Sequence, residues 1–122
     1  MNAQKIIKEF ERKYPAKKIL INSGEIVCET DPAKNPGESG AAVAVIDKSV
    51  AHYHKKTVET YKVMKGGLTV FKNGTAHELR EGDKLTVDPG EIHYAIGNET
   101  WVEVVAAPGW TIEDHFFTGR TV

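Results

Sequence analysis

What most constrains this chain is its rhythm. From Ala41 to Pro108 it runs as brief segments rich in Val, Ile, Thr and aromatic residues: AAVAVID, VETYKVM, GLTVFKN, GTAHELR, DKLTVDP, HYAIGN and WVEVVAAP. Turn residues interrupt them about every eight to twelve positions, the spacing of an all-β barrel or sandwich. Asn73-Gly74, between GLTVFK and TAHELR, is the strongest hairpin signal, because both residues tolerate the positive φ of a type I′ turn. Two more strand-like runs, KKILI and EIVCET, come earlier, and DPAKNPGESG has the Pro, Gly and Asn density of an exposed loop. Only the start departs from this pattern. Between Asn2 and Lys13 the apolar residues Ile6, Ile7 and Phe10 recur at helical spacing, and Tyr14-Pro15 ends the short helix, since a residue before proline avoids the α region. A chain of 122 residues without repeat or linker is expected to be one domain spanning 1–122.

Composition narrows the function by exclusion. A net charge of −1, with neither a basic block nor an acidic tail, argues against nucleic acid or anionic lipid as partner. The N-terminal MNAQKIIKEFERKYPAKK lacks the apolar core of a secretory signal, and no later run is long enough to span a bilayer, so a cytoplasmic protein is expected. The lone cysteine, Cys28, lies in an apolar run and reads as a small buried hydrophobe. In such a chain the Asn-x-Thr matches at Asn73 and Asn98 carry no glycan.

Five histidines are present, and two stand one residue apart in SVAHYHKKTVETYKVMKGG. On a strand, residues i and i+2 share a face, so His52 and His54 aim both imidazoles at one point while Tyr53 turns away. If VETYKVM is the next strand, Glu59 shares its face with Tyr61 and Val63. Two nitrogens and a carboxylate oxygen suit a transition metal better than Ca or Mg. His93, after the Pro89-Gly90 turn, is a candidate fourth ligand.

At this point the sequence resembles the cupins. Their first motif, G-x5-H-x-H-x3/4-E-x6-G, is matched by His52, His54, Glu59 and Gly66, and their second, G-x5-P-x-G-x2-H-x3-N, by Gly82, Gly90 and His93. Ile46 stands at the opening glycine of the first motif; in the second, Asp88 replaces proline and Gly97 replaces asparagine, with Asn98 next. No departure removes a ligand. The resemblance covers about 41–108 and is greatest to small single-domain cupins labelled mannose-6-phosphate isomerase-like. It implies a double-stranded β-helix, a jelly-roll barrel preceded here by the short α-helix, and one divalent Mn, Fe, Ni or Zn held by His52, His54, Glu59 and His93. Open positions on such a metal would chelate a hydroxy-carbonyl or sugar-like molecule, for isomerase chemistry or, with iron, dioxygenase chemistry; a binding module without turnover is a third reading. No general base is evident, and Arg12, Arg80 and Arg120 all lie outside the motifs, which argues against a phosphorylated substrate.

Tyr61 and Trp110 are the candidate substrate-binding residues. Tyr61 would follow Glu59 on the inward face, and Trp110 would cover one barrel end or pack on the helix. His77 is expected to be a solvated strand residue, and His115, in EDHFF, a surface residue with the site mouth as the alternative. Trp101, Phe71, Val70, Leu68 and Val104 are expected in the core rather than the pocket. Small open barrels carry edge strands, so a homodimer is expected, with IVCET pairing or packing across its two-fold axis.

Overall fold

One strand carries the rest of the sheet. β9, His93–Ala107, begins at a candidate ligand and bends midway, where Glu99 adopts a φ of 46° and its N–H reaches the Asp47 carboxylate. Its first half pairs with β6, Leu68–Lys72, and at His93 with β4, His52–Tyr53. Its second half lies between β3, Gly40–Lys48, and β5, Val58–Lys65. The segments HYAIGN and WVEVVAAP, which read as two strands, are therefore one. Gly97 and Asn98 mark a bend that a turn signal alone does not distinguish from a break. Gly97 is required there, because a Cβ would stand 2.6 Å from Thr100 Oγ1 and 2.8 Å from the Ile46 carbonyl.

The structure is a computed structural model that describes residues 1–118; Arg120 lies outside them. β1, Lys18–Ile21, forms the outer edge beside β2, Glu25–Asp31, which pairs on its other side with β3. β2 is thus paired along both edges, so the IVCET segment cannot add a strand across a two-fold axis; β1 beside it is one of the strands paired on one side only, with β7, β8 and β10. The loop at 32–39 is exposed. The hairpin of β6 and β7, Thr75–Leu79, closes at Asn73 and Gly74, with φ of 49° and 82°, as a type I′ turn requires. β8, Lys84–Val87, pairs with β5, and β10, Phe116–Phe117, with β4. Every pairing is antiparallel, and the sheet curls into a barrel of the expected all-β class. Among the described residues no helix is long and apolar enough to cross a membrane.

β3 explains why AAVAVI is almost continuously apolar: both of its faces are covered. Ala44 and Ile46 point into the barrel with Tyr61, Val63, Leu68, Val70 and Val102. Val43 and Val45 point outward, where α1, Ala3–Lys13, lays Ile6 and Phe10 on them beside Ile26, Cys28 and Trp101. Phe10 is fully buried and meets Trp101 edge to face at 5.2 Å. Full burial of such a side chain contributes about 1.5–3 kcal/mol, so the helix is held by its apolar face more than by its Asn2 cap, which accepts from the Lys5 N–H. Cys28 has no exposure, and burial pushes its thiol pKa up, as a packing residue's should be. Trp101, Val70 and Leu68 are in the core as expected. Phe71 is instead half-buried, stacked on Tyr94 at 4.7 Å, and Val104 packs on the core from a position that also lines the internal cavity.

Candidate metal centre

The sequence alternation does what strand geometry requires. His52 and His54 turn to the same side with ring centroids 5.0 Å apart, and His93, register partner of His52 across β4 and β9, stands 4.3 Å from it. Glu59 enters from β5 on the same face as Tyr61 and Val63, all buried. The ligand atoms of His52, His54, Glu59 and His93 lie within 4.8 Å of one another, and each residue is buried.

Each imidazole is oriented by a backbone carbonyl behind it. Nδ1 of His52 faces the Val50 carbonyl at 2.8 Å, Nδ1 of His54 that of Asp114 at 2.7 Å, and Nδ1 of His93 that of Glu91 at 2.9 Å. A carbonyl only accepts, so each Nδ1 carries the proton and each neutral ring presents the Nε2 lone pair. Those of His54 and His93 both point at Glu59 Oε1 from 3.1 Å. Two lone pairs and a carboxylate oxygen at hydrogen-bond distance repel unless a cation sits among them. Without a metal only protons can fill that need. Burial works against a charged His54, but its bond to Glu59 wins and raises its pKa. Burial likewise opposes ionisation of Glu59, and the bonds from His54 and His93 override it, holding the carboxyl well below the usual range. His52, lacking the carboxylate bond, falls to about 3 through burial and the neighbouring His93 and His115. This donor set fits a divalent transition metal, bound through three neutral Nε2 atoms and one carboxylate.

The loop carrying the histidines is clamped from the far end of the chain. A single turn of 3₁₀-helix, Ile112–Asp114, brings the Asp114 carboxylate onto the N–H groups of Lys55, Lys56 and Thr57 at 2.9, 3.1 and 3.1 Å, while its carbonyl orients His54. Burial would raise the Asp114 pKa, yet these bonds lower it. The tip of the β6–β7 hairpin does the same for His93: Asn73 Oδ1 accepts from the Ile92 N–H at 2.9 Å. Gly90, with a φ of 85°, donates its N–H to the His54 carbonyl and ties the two motif loops together.

A cavity of about 170 Å³ opens beside the donors. Both candidate substrate residues line it. Tyr61 is buried, with its hydroxyl 3.4 Å from Glu59 Oε1, and burial followed by the two nearby carboxylates raises its pKa well above the ordinary value. Trp110 packs not on the helix but on His115, donating its indole N–H to Nδ1 at 2.9 Å. His115 is a correction, since it is in the cavity wall and stacks on His52 at 4.1 Å. Burial first, and then His54, lowers its pKa to about 4. His77 is half-buried on β7 and is not one of the clustered donors. Sequence reasoning missed Glu25, Glu29 and Asp114. Glu25 and Glu29 alternate with Val27 on the inward face of β2, a periodicity that was available to reading, whereas nothing local links Asp114 to a loop 57 or more residues away.

No family model matches the chain, and no curated protein matches it in sequence. Solved structures match its fold. Pac13 of Streptomyces, described as a unique nucleoside dehydratase, superposes with a TM-score of 0.77 at 14% identity, covering 86% of this chain and 87% of its own. KdgF from Halomonas sp. gives 0.67 at 16%, covering 76% and 89%, and oxalate decarboxylase from Bacillus subtilis 0.73 at 14%, covering 85% of this chain but 30% of the longer enzyme. These neighbours are cupin-fold proteins with the same curled sheet. The chain thus shares the cupin fold of these proteins.

Proposed function

We propose that the protein is a metal-dependent enzyme that moves a proton between adjacent carbons of a small hydroxy-carbonyl or sugar-like molecule, an isomerase-type reaction. The observation that carries this reading is the pairing, around one cavity, of a four-donor metal cluster with a carboxylate engaged by nothing else. The Glu25 carboxyl has no hydrogen bond or ion pair among the described residues, and burial together with Glu59 raises its pKa to about 7, where a proton-transfer group is most effective. A divalent ion held by His52, His54, Glu59 and His93 would supply Lewis-acid polarisation of the substrate carbonyl. Glu25 takes the proton from the hydroxyl-bearing carbon and returns it to the former carbonyl carbon, while the hydroxyl proton passes to the former carbonyl oxygen. Tyr61 holds Glu59 in place, and Trp110 with His115 walls the mouth.

The fold does not choose among chemistries, since its neighbours are described as a dehydratase and a decarboxylase. Iron at the same donors would suit a dioxygenase. The test begins with elemental analysis of the purified protein and of the double variant His52→Ala/His54→Ala, which should hold no metal yet keep its β-sheet circular dichroism. Protein reconstituted with Mn, Fe, Ni or Zn is then incubated with uncharged aldoses and ketoses in D2O. Deuterium appearing on the carbon beside the carbonyl supports the isomerase reading. Oxygen consumption with iron alone transfers it to the dioxygenase, and stoichiometric metal with neither activity transfers it to a binding module. Full metal retention in the double variant overturns the ligand assignment.

A further inference from the structure

The cavity is lined by three carboxylates and, among the described residues, by no lysine or arginine. Glu59 is held by His54, His93 and Tyr61, but the side chains of Glu25 and Glu29 have no hydrogen bond or ion pair among the described residues. The nearest strand neighbour of opposite charge, Lys18, is the register partner of Glu29, yet it is exposed and outside the cavity wall. A different kind of group stands at the mouth. Tryptophan can only donate, so its bond to His115 makes Nδ1 the acceptor and places the proton of the neutral ring on Nε2, where it has no partner. The cavity thus offers two carboxylate acceptors and, from the His115 Nε2–H and the Asn22 amide, neutral N–H donors. Its volume of about 170 Å³ equals roughly six waters at ~30 Å³ each, room for a triose or tetrose rather than a nucleotide.

We propose that this cavity selects small uncharged hydroxy-carbonyl compounds, whose hydroxyls donate to Glu25 and Glu29 and one of whose oxygens accepts from His115, and rejects phosphorylated or carboxylated ones. The inference rests on the metal-dependent reading of the same site and narrows its substrate. Rejection is electrostatic: the charge of a divalent ion at the donor cluster is already partly neutralised by Glu59, and an anionic group in the cavity meets Glu25 and Glu29, whose charges no lysine or arginine of the lining offsets; repulsion of one class discriminates as effectively as attraction of another.

The probes are dihydroxyacetone and dihydroxyacetone phosphate, followed by saturation-transfer NMR at pH 8, where Glu25 is ionised, with metal-loaded and chelator-treated protein in parallel. Wild type should bind the uncharged triose on the order of tenfold tighter than its phosphate, and Glu29→Lys should move that ratio toward the phosphate by a similar factor. Glu29→Gln, which is isosteric and stays folded if the lysine variant does not, should fall between them. Phosphate binding as tight as dihydroxyacetone, a ratio unmoved in the Glu29 variants, or no binding of either triose overturns the inference. Metal content is measured on the same samples. Absence of stoichiometric metal after reconstitution would sink the metal reading, whereas full metal with a preference for the phosphate sinks only the selectivity claimed here.

Discussion

Replacing Asp114 by alanine tests whether the chain's far end builds the metal loop. Its carboxylate accepts three backbone N–H bonds from Lys55, Lys56 and Thr57 and is itself buried. At about 1 kcal/mol net per bond, with charge assistance offset by water reaching the freed donors, the loss is about 3 kcal/mol. For 122 residues, an unfolding entropy of about 2.1 cal/mol/K per residue makes 1 kcal/mol worth ~4 °C, so Tm should drop by ~12 °C. Asparagine keeps one acceptor oxygen and should recover about half. Because the same residue's carbonyl orients His54, loosening the turn should also weaken metal binding by about 10–100-fold, the usual effect of losing an outer partner of a ligand. Urea denaturation in chelator isolates the first effect, and competition with a chromogenic chelator reads the second. An alanine variant within about 0.5 kcal/mol of wild type, with unchanged metal affinity, would refute the clamp.

Glu25 predicts a pH signature of stability. Its folded pKa of about 7 exceeds the unfolded 4.5, so the folded state binds more protons between these values and stability is lost as pH rises through that window, then stays level above it. In chelator, Glu25→Gln should match wild type near pH 4.5 and exceed it by roughly 3 kcal/mol at pH 8; a constant difference across the range would contradict the assignment. The protein is further expected to form a homodimer through the β1 edge, one of the strands paired on one side only, chosen here because its Ile21 is 60% exposed; a monomer mass by light scattering at micromolar concentration would rule it out.

What could be read from the sequence was what repeats at short range. Alternation placed His52, His54 and the inward face of Glu59 and Tyr61 correctly, and Asn73-Gly74 announced its hairpin, because strand pleat and positive φ are local properties. The bend in β9 was not legible, since Gly97 and Asn98 look alike in a bulge and in a turn, and only the packing of Thr100 and Ile46 against Gly97 decides between them. Asp114, and the choice of the site mouth over the surface for His115, were out of reach for another reason. Their partners lie about sixty positions back, and no periodicity spans that distance. Val104 was assigned to the core on its apolar character, but a barrel interior that holds a cavity makes the same inward residue serve both.

The long bent strand β9 has a kinetic consequence. It pairs with β3, β4, β5 and β6, and its first residue is His93, so the donor cluster is complete only after segments some forty positions apart have closed onto one another. Loop closure of that kind comes late in folding. A metal ion bound at this cluster would therefore act less as a nucleus for the barrel than as a latch on a spine already docked, leaving the rate of folding nearly unchanged while lengthening the lifetime of the folded state.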